Sequence, residues 1–381
     1  MSKKLLIIIL MLTVMLTGCF PSGELKTSSE PDANNKNNVT SSENSDNSES
    51  SAPTAPAVPQ DLEHVKFNIE LDSEYPTELP IIKAKRATFD FEEVKPIFLG
   101  DKNVTAEGNG IYYTDDGVTF VVRNDIIAYH TDHYYDNDGE NRLIYQIQSA
   151  AVKDVARYYM NYPNVNSELE GFPRSEAIER ANELVERVGL KYLGEPIVYT
   201  LTSEDVDINV AGILMDNEGN ELEVHLPKEE EFYFVSYLTT YNEIPAPTRS
   251  YTIYEDVSQA LSKLDIILTK DRLVDFSCVG MYDEIEVVET SQINCSAETA
   301  LSKLYDYYAA NEGNIKQHYE YSDLNLVYLT YSANYDTGEF TYKPIWCVSG
   351  TRSRLDDPAT GKQHTDKLID STTGFVFNGD Y

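Results

Sequence analysis

The sequence is short of cysteine, tryptophan and positive charge, and each shortage narrows the functions open to it. Four cysteines and one tryptophan occur among 381 residues, and 30 basic residues stand against 64 acidic ones, for a net charge of −34. A surface this acidic repels nucleic acid, so we expect no nucleic-acid partner. The hydrophobic run of the chain, Leu5–Leu16, has only twelve residues. This is too short to span a bilayer stably as a helix.

Signature motifs of catalysis are missing as well. The chain has no G-x-S-x-G, no H-E-x-x-H, no phosphate-binding loop and no dinucleotide fingerprint. Catalytic groups converge in space rather than in sequence, so a carboxylate pair among the 64 acidic residues stays open. We predict a non-catalytic protein that needs no cofactor.

The amino terminus has the pattern of an export signal. Two lysines precede the apolar run, and Thr17 and Gly18 follow it, directly before Cys19. A basic start, a short apolar segment and small residues predict a signal peptide over residues 1–18. The residues around Cys19 resemble the lipobox of bacterial lipoproteins, in which the signal is cut before a cysteine that carries a diacylglycerol. The alternative is an ordinary signal peptide followed by a chance cysteine.

Residues 19–61 are expected to form a lipid-anchored, disordered tether. Ser, Asn, Pro, Asp and Glu dominate this stretch, and large apolar side chains are almost absent. Such a segment cannot bury enough surface to offset the entropy cost of ordering. The chain is therefore predicted to lie on the extracytoplasmic face of the cell membrane, held by Cys19 through two acyl chains.

The remaining chain predicts an α+β fold, with antiparallel β-meanders each preceded by an amphipathic helix. We divide it into a β-rich region at 62–165, a helix-plus-strands unit at 166–250 and a helix-plus-meander region at 251–381. Apolar residues at helical spacing predict helices over 175–189, 256–268 and 296–310.

Local signals place the ends of these helices and of one further helical turn. Ser175 and Ser296 are expected to be N-caps, and Gly189 is expected to end its helix. Asp90 is expected to cap a short turn that Pro96 ends. The second and third long helices share the pentapeptide ALSKL, forty residues apart, which suggests a repeat.

Strands are predicted from alternation and turn residues. A hairpin turns at 115–117, where Asp-Gly supplies the positive φ angles of a tight turn. Residues 232–241 are apolar on both faces over their first half, as expected of a central strand. Residues 326–335 alternate and turn at 336–338 into a partner strand, and a last pair turns at 372–374.

The carboxyl-terminal region carries a family resemblance. An Ala-rich helix followed by YLTY, PIWCV and LIDSTTGFVF resembles the closing unit of PepSY-like domains and of the YycH/YycI accessory proteins, which restrain a membrane sensor kinase. Lipobox, tether and element order together resemble uncharacterised lipoproteins of Firmicutes. The resemblance covers residues 296–381. It implies a binding or regulatory role with a protein partner at the cell surface, and it transfers no catalytic residue.

The stretch AYHTDHYYDNDGE, residues 128–140, offers candidate metal ligands. His130 and His133 lie three positions apart, and Asp136 is among the hard oxygen ligands that follow. The segment follows a strand pattern and has a turn composition, and an EF-hand alignment would place Tyr134 and Tyr145 where carboxylates are required. A solvated turn is therefore favoured over a metal site.

Three cysteines and many tyrosines complete the candidates. Cys278, Cys295 and Cys347 are expected to be small buried hydrophobic residues, although export would permit one disulfide. Most of the 28 tyrosines are expected to be core residues whose rings are buried and whose hydroxyl groups reach solvent. The candidates for an exposed interface all lie near turns: Tyr134, Tyr135, Tyr241 and Tyr335. The triplet of glutamates at 229–231 is expected to be a solvated turn.

Three functions follow as hypotheses. The first is a non-catalytic lipoprotein that binds or modulates a membrane or envelope partner. The second is a solute-binding lipoprotein of a transporter, although the chain lacks the alternating strand and helix order of two parallel-sheet lobes. The third is a metal-assisted envelope hydrolase centred on His130 and His133.

Overall fold

The computed structural model describes residues 58–72, 74–131, 140–158, 162–216, 219–246, 252–254, 257–258, 262–334, 336–356 and 362–377. Over these residues the fold is α+β and consists mostly of antiparallel sheet, which confirms the predicted fold class at that level. The predicted signal peptide, Cys19 and all of the tether before residue 58 lie outside the described residues.

The larger of two main sheets is antiparallel and has eight strands. Its strands in spatial order are β3 (Val104–Gly108), β4 (Ile111–Thr114), β5 (Thr119–Arg123), β6 (Ile126–His130), β14 (Leu273–Val279), β13 (Lys263–Thr269), β8 (Phe232–Leu238) and β7 (Ile197–Leu201). The hairpin predicted at 115–117 joins β4 to β5, with Gly117 at φ 95°. Strand β8 is buried over its first half and pairs with β13 and β7, which confirms the predicted central strand.

Helices cover both faces of this sheet. They are α1 (Phe91–Phe98), α2 (Glu140–Tyr158), α3 (Arg174–Val188) and α4 (Ser203–Val210). On one face α1 and α3 pack on Phe120 and Phe276 in a single apolar core. On the other face α2 and α4 share a second core with Phe234. Helix α3 contributes the apolar stripe that its period predicts, because a sheet face is an apolar surface that must be covered, whereas α2 and α4 were not predicted from the sequence.

The second main sheet has six strands. Its strands are β1 (Val65–Phe67), β2 (Glu78–Arg86), β15 (Tyr282–Gln292), β16 (Gln317–Asn334), β17 (Glu339–Arg354) and β18 (Gln363–Asp370). Strand β17 pairs with β16 along its length, whereas its other edge pairs first with β2 and then with β18. All pairs are antiparallel except β1 with β16. The sheet thus joins the beginning of the described chain to its end, because its strands come from the first and the third of the predicted regions.

Helix α5 (Ala297–Ala310) covers one face of the six-stranded sheet. The Ser296 side chain accepts a hydrogen bond from the Thr299 amide, which confirms the predicted N-cap. Leu301 and Leu304 are fully buried against Trp346. The predicted hairpin between β16 and β17 is confirmed, and so is the short return after β18, where the Asp370 amide donates to Phe375 O at 2.9 Å.

Short elements complete the described chain. They are the strand pairs β9 (Thr240–Tyr241) with β10 (Ile244–Pro245) and β11 (Thr252–Tyr254) with β12 (Val257–Ser258), and the 3-10 turns Lys228–Glu230 and Glu312–Asn314. No described helix is both long and apolar enough to cross a membrane.

The helix predicted over 256–268 is wrong for the residues of that span that the structure describes, 257–258 and 262–268. Lys263–Thr269 is the strand β13, hydrogen-bonded to β8 on one side and to β14 on the other. The apolar stripe that suggested a helix is equally compatible with a strand buried on both faces, and sheet neighbours on both sides decide between them. The two copies of ALSKL therefore end in different structures, one in β13 and one in α5, and they are no repeat.

Two predicted helix ends are also wrong. Helix α1 continues through Pro96 to Phe98, because Phe98 packs against Phe276 with ring centroids 4.8 Å apart and holds the last turn. Helix α3 begins at Arg174 rather than after Ser175. There the Arg174 amide donates to the Glu168 carboxylate at 2.6 Å, which substitutes for a capping side chain.

Candidate functional site

Only some of the residues proposed from sequence are among the residues that the structure describes. His130 is described, at the end of β6. Cys19, His133 and Asp136 lie outside the described residues, as do three of the four tyrosines expected to be exposed, Tyr134, Tyr135 and Tyr335. The fourth, Tyr241, is half-buried and packs against Tyr328 with ring centroids 6.2 Å apart, so its predicted exposure is wrong.

His130 belongs to a buried hydrogen-bonded group. Its Nδ1 lies 2.5 Å from Asp275 Oδ2, and the Tyr145 hydroxyl on α2 donates to the same oxygen at 2.9 Å. Strand register produces the contact, because Asp275 on β14 is the direct cross-strand partner of His130. Burial raises the pKa of the Asp275 carboxyl, but the charge and hydrogen bond of His130, with the hydroxyls of Tyr145 and Ser277, outweigh burial and hold that pKa below its ordinary value of 3.8.

A second network of hydrogen-bonded side chains begins at the residue next to His130. Arg272 donates to Thr131 Oγ1 at 2.8 Å and to Glu230 Oε2 at 3.0 Å, and Gln148 on α2 donates to the Glu230 carbonyl at 3.1 Å. Glu230 is therefore not simply a solvated residue. Both chains of contacts fasten α2 to the sheet, because buried polar groups are retained when they satisfy one another.

The described residues contain no cluster of three or more potential metal ligands. His130 presents its Nδ1 to a carboxylate, and the other two candidate ligands are outside the described chain. The arrangement in the described part explains His130 as a structural residue that orients α2.

The three cysteines of the folded body are buried free thiols. Burial raises the pKa of Cys278, of Cys295 and of Cys347, which disfavours the reactive thiolate. The prediction of small buried hydrophobic residues is confirmed, and the disulfide left open by the sequence does not form among these three.

A cleft of about 710 Å³ lies where the six-stranded sheet extends past the end of α5. Its floor is the sheet face formed by the first residues of β16, the last residues of β17 and Lys367 of β18. Its wall is the last turn of α5 and the 3-10 turn that follows. Tyrosines and amide side chains line it, together with these charged residues: Lys316, Arg352, Arg354, Lys367 and Asp356.

The sign of the charge in this cleft is opposite to that of the chain. Four basic side chains and one acidic side chain line it, whereas acidic residues outnumber basic ones by about two to one in the whole sequence. Like charges in a concave, low-dielectric site reinforce one another and attract counter-ions. The cleft is therefore suited to an anionic ligand.

Lys367 is the most deeply placed of these cations, with 2% of its surface exposed. Its Nζ lies 4.9 Å from the ring centroid of Tyr307 and 5.9 Å from that of Tyr308. The ring faces carry partial negative charge and stabilise an ammonium there. The Tyr308 hydroxyl is bonded to that of Tyr321 at 2.6 Å, which fixes the inner wall.

Two of the other basic residues, Arg352 and Arg354, lie on one face of β17. Arg352 and Arg354 are two residues apart on a strand, so both side chains leave the same face. The Arg354 guanidinium donates two hydrogen bonds to Asp356, at 2.9 and 2.8 Å, and both of these side chains are well exposed. A solvent-exposed salt bridge of this kind contributes little to stability, so a ligand carboxylate could replace Asp356 at small cost.

Gly350 makes the floor of the cleft possible. A Cβ on this residue would lie 2.2 Å from the Glu320 carbonyl oxygen and 2.7 Å from the Tyr321 Cα. The pairing of β16 with β17 shifts register at this point, between Tyr321 and Asp323. Only glycine allows the two backbones to approach this closely at the bulge.

Sequence reasoning missed this cleft because its residues come from separate segments. Lys316 follows α5, Arg352 and Arg354 end β17, and Lys367 belongs to β18. The one local signal was the alternation in TRSR, residues 351–354, within a loop-like polar stretch of an acidic chain.

Comparison with known proteins adds a fold neighbour. No family model and no curated protein matches the chain. An uncharacterized protein from Eubacterium rectale ATCC 33656, solved by crystallography, is similar to it with a TM-score of 0.60 and 15% sequence identity, over 84% of this chain and 92% of that one. At this identity the similarity shows a shared fold alone.

Proposed function

We propose that this protein is a non-catalytic lipoprotein, anchored on the extracytoplasmic face of the cell membrane through Cys19, whose folded body binds an anionic ligand or partner in the cleft at the end of α5. The single observation that carries the binding site is the excess of three positive charges in a cleft of a chain with a net charge of −34. Four basic side chains and one acidic side chain in one concavity give a local excess of positive charge, which an anionic ligand would balance.

The anchor rests on sequence. A basic start, a twelve-residue apolar run and Cys19 after small residues support export and lipidation. The acidic, polar stretch up to residue 61 supports a tether that separates the folded body from the membrane surface. The resemblance of residues 296–381 to PepSY-like and YycH/YycI units supports a regulatory partner, and the cleft lies within that unit.

A solute-binding lipoprotein is the second candidate. The volume of about 710 Å³ falls within the range of sites that enclose small molecules. A small anion would suit the recessed Lys367 and the tyrosines around it. No described contact supports the metal-assisted hydrolase in the same way.

The test uses the full-length, lipidated protein in its native membrane. A photo-cross-linking amino acid replaces Asn314, an exposed residue of the cleft wall, and in a control protein it replaces Glu179 on the outer face of α3. We expect a cross-linked product specific to position 314 that disappears when Arg352→Glu reverses one charge of the cleft. A Cys19→Ala variant should leave the membrane fraction.

Two results would overturn the proposal. The same products from both positions would show that the cleft is not the contact surface. A product at position 314 that persists in the Arg352→Glu protein would show that its charge is irrelevant. A small solute would be revealed instead by thermal stabilisation of the full chain in a panel of organic anions, with the same dependence on Arg352.

A further inference from the structure

We propose that the ligand of this cleft is an extended acidic peptide segment of a partner protein, with carboxylates on alternate residues that pair with Arg352 and Arg354. This inference rests on the proposed function, since it names the chemistry of the ligand in that same cleft. It depends on the spacing of the cations, on the kinds of side chains between them and on the way Arg354 binds the Asp356 carboxylate.

The spacing follows from the strand. A strand rises by about 3.4 Å per residue, so Arg352 and Arg354 stand roughly 7 Å apart along β17. An extended peptide has the same rise, and its residues i and i+2 project to one side with the same separation. Acidic residues at alternate positions of an extended ligand therefore meet both guanidinium groups in register, whereas two adjacent acidic residues project to opposite sides.

The cleft continues inward from these two residues. Lys367 pairs with Val348, four residues before Arg352 on β17, which places it about 14 Å further along the strand direction. This length favours a chain with several anionic groups over a single small anion. The Lys367 ammonium, which is buried on its tyrosine rings, adds positive potential at this inner end of the cleft.

The neutral lining favours a peptide over a phosphate polymer. Tyr307 and Tyr319 present rings, and Asn314 and Gln317 present amides. Tyrosine and arginine are enriched where proteins bind proteins, because they combine contact area with directed hydrogen bonds. Side-chain amides can both donate to and accept from an extended backbone. A bare phosphate chain would use the cations and leave the rings and amides without counterparts.

Asp356 shows how a carboxylate sits in this cleft. It accepts two hydrogen bonds from the Arg354 guanidinium, and the contact lowers the pKa of the Asp356 carboxyl below its usual value. A ligand carboxylate must replace Asp356 or share the guanidinium with it. Removing that competitor should strengthen binding, whereas removing Arg354 should weaken it.

The experiment measures binding of fluorescent peptides to the full-length protein in detergent by anisotropy, at low ionic strength. Two peptides share one composition. One has two glutamates separated by a single residue, and the other has them adjacent. We expect the alternating peptide to bind more tightly, Arg354→Gln to weaken it by about two- to fivefold, and Asp356→Asn to strengthen it by a similar factor.

Lys102→Gln provides the matched control. It removes one exposed, carboxylate-paired cation from the segment before β3, outside the cleft. It changes the net charge as Arg354→Gln does, and it should leave peptide affinity unchanged. Rising salt should weaken the alternating peptide, because its contacts with exposed cations are screened.

The outcomes separate this inference from the proposed function. Equal affinity for both peptides, or tighter binding of linear polyphosphate with the same dependence on Arg354, would overturn the peptide assignment and leave the anionic cleft standing. No binding of either peptide, of polyphosphate or of inorganic phosphate would overturn both.

Discussion

The Tyr145 hydroxyl holds α2 to the eight-stranded sheet, and replacing Tyr145 with Phe tests how much that contact contributes. Tyr145 is 2% exposed, and its hydroxyl donates to Asp275 Oδ2 at 2.9 Å. A hydrogen bond to a charged group contributes about 1.5–3 kcal/mol when it is buried. Asp275 keeps its contacts with His130 and Ser277, so we expect the variant to lose about 2 kcal/mol of unfolding free energy.

The pH dependence of this loss follows from the Asp275 carboxyl. Its native pKa lies below the ordinary value of 3.8, so this group stabilises the folded state above that value, and the stabilisation is lost as the pH falls through the native pKa. The Tyr145 hydroxyl is one of the groups that lower this pKa. The difference between wild type and variant should therefore be constant from about pH 7 to pH 5 and should shrink as the pH falls through the native pKa of Asp275.

The assay is urea unfolding of the full-length protein in detergent, followed by far-ultraviolet circular dichroism at several pH values. Tyr113→Phe is the matched control, because the Tyr113 hydroxyl donates to the Glu107 carboxylate at 2.7 Å on the exposed surface, where such a contact contributes well under about 1 kcal/mol. A loss of less than about 0.5 kcal/mol for Tyr145→Phe, or a loss that grows as the pH is lowered, would refute the argument.

Two further outcomes test the sheet and the anchor. Gly350→Ala should cost more than about 2 kcal/mol in the same urea assay, because the added Cβ meets the Glu320 carbonyl oxygen at 2.2 Å; a loss below about 1 kcal/mol would show that the bulge adjusts. The three buried thiols should resist a thiol reagent at pH 8 in the folded protein and react in urea. A fourth reactive thiol in urea would show that Cys19 is free rather than lipidated.

The sequence predicts those elements whose determinants are local. Helix α5 has its cap at Ser296 and a full apolar stripe, and the hairpin of β4 and β5 has Asp-Gly at its turn; both form as predicted. Strand β13 was predicted as a helix, because the pentapeptide ALSKL carries the same local pattern in both places. What places the end of one copy, Lys263 and Leu264, in a strand is hydrogen bonding to β8 and β14. A local pattern contains nothing about such distant partners.

The candidate sites also depend partly on local sequence and partly on distant partners. His130 was singled out from its neighbours along the chain, but its partner Asp275 is 145 residues away and is brought there by strand register. The cleft depends on three segments that meet only in the six-stranded sheet, and no linear motif marks it. The net charge of −34 gives no sign of the cleft, because it does not show that four basic residues lie close together in the fold.

The divided edge of β17 has a consequence for the order in which the protein can fold. Strand β2, near the start of the body, pairs with β15 and with the first part of β17, and the rest of that edge is completed by β18, which ends at residue 370. A chain emerging from its amino terminus cannot close this sheet until almost all of it has appeared. Contacts so distant in sequence form slowly. The body should therefore fold late and as one unit, and a chain delivered across a membrane amino terminus first would stay unfolded for most of its passage.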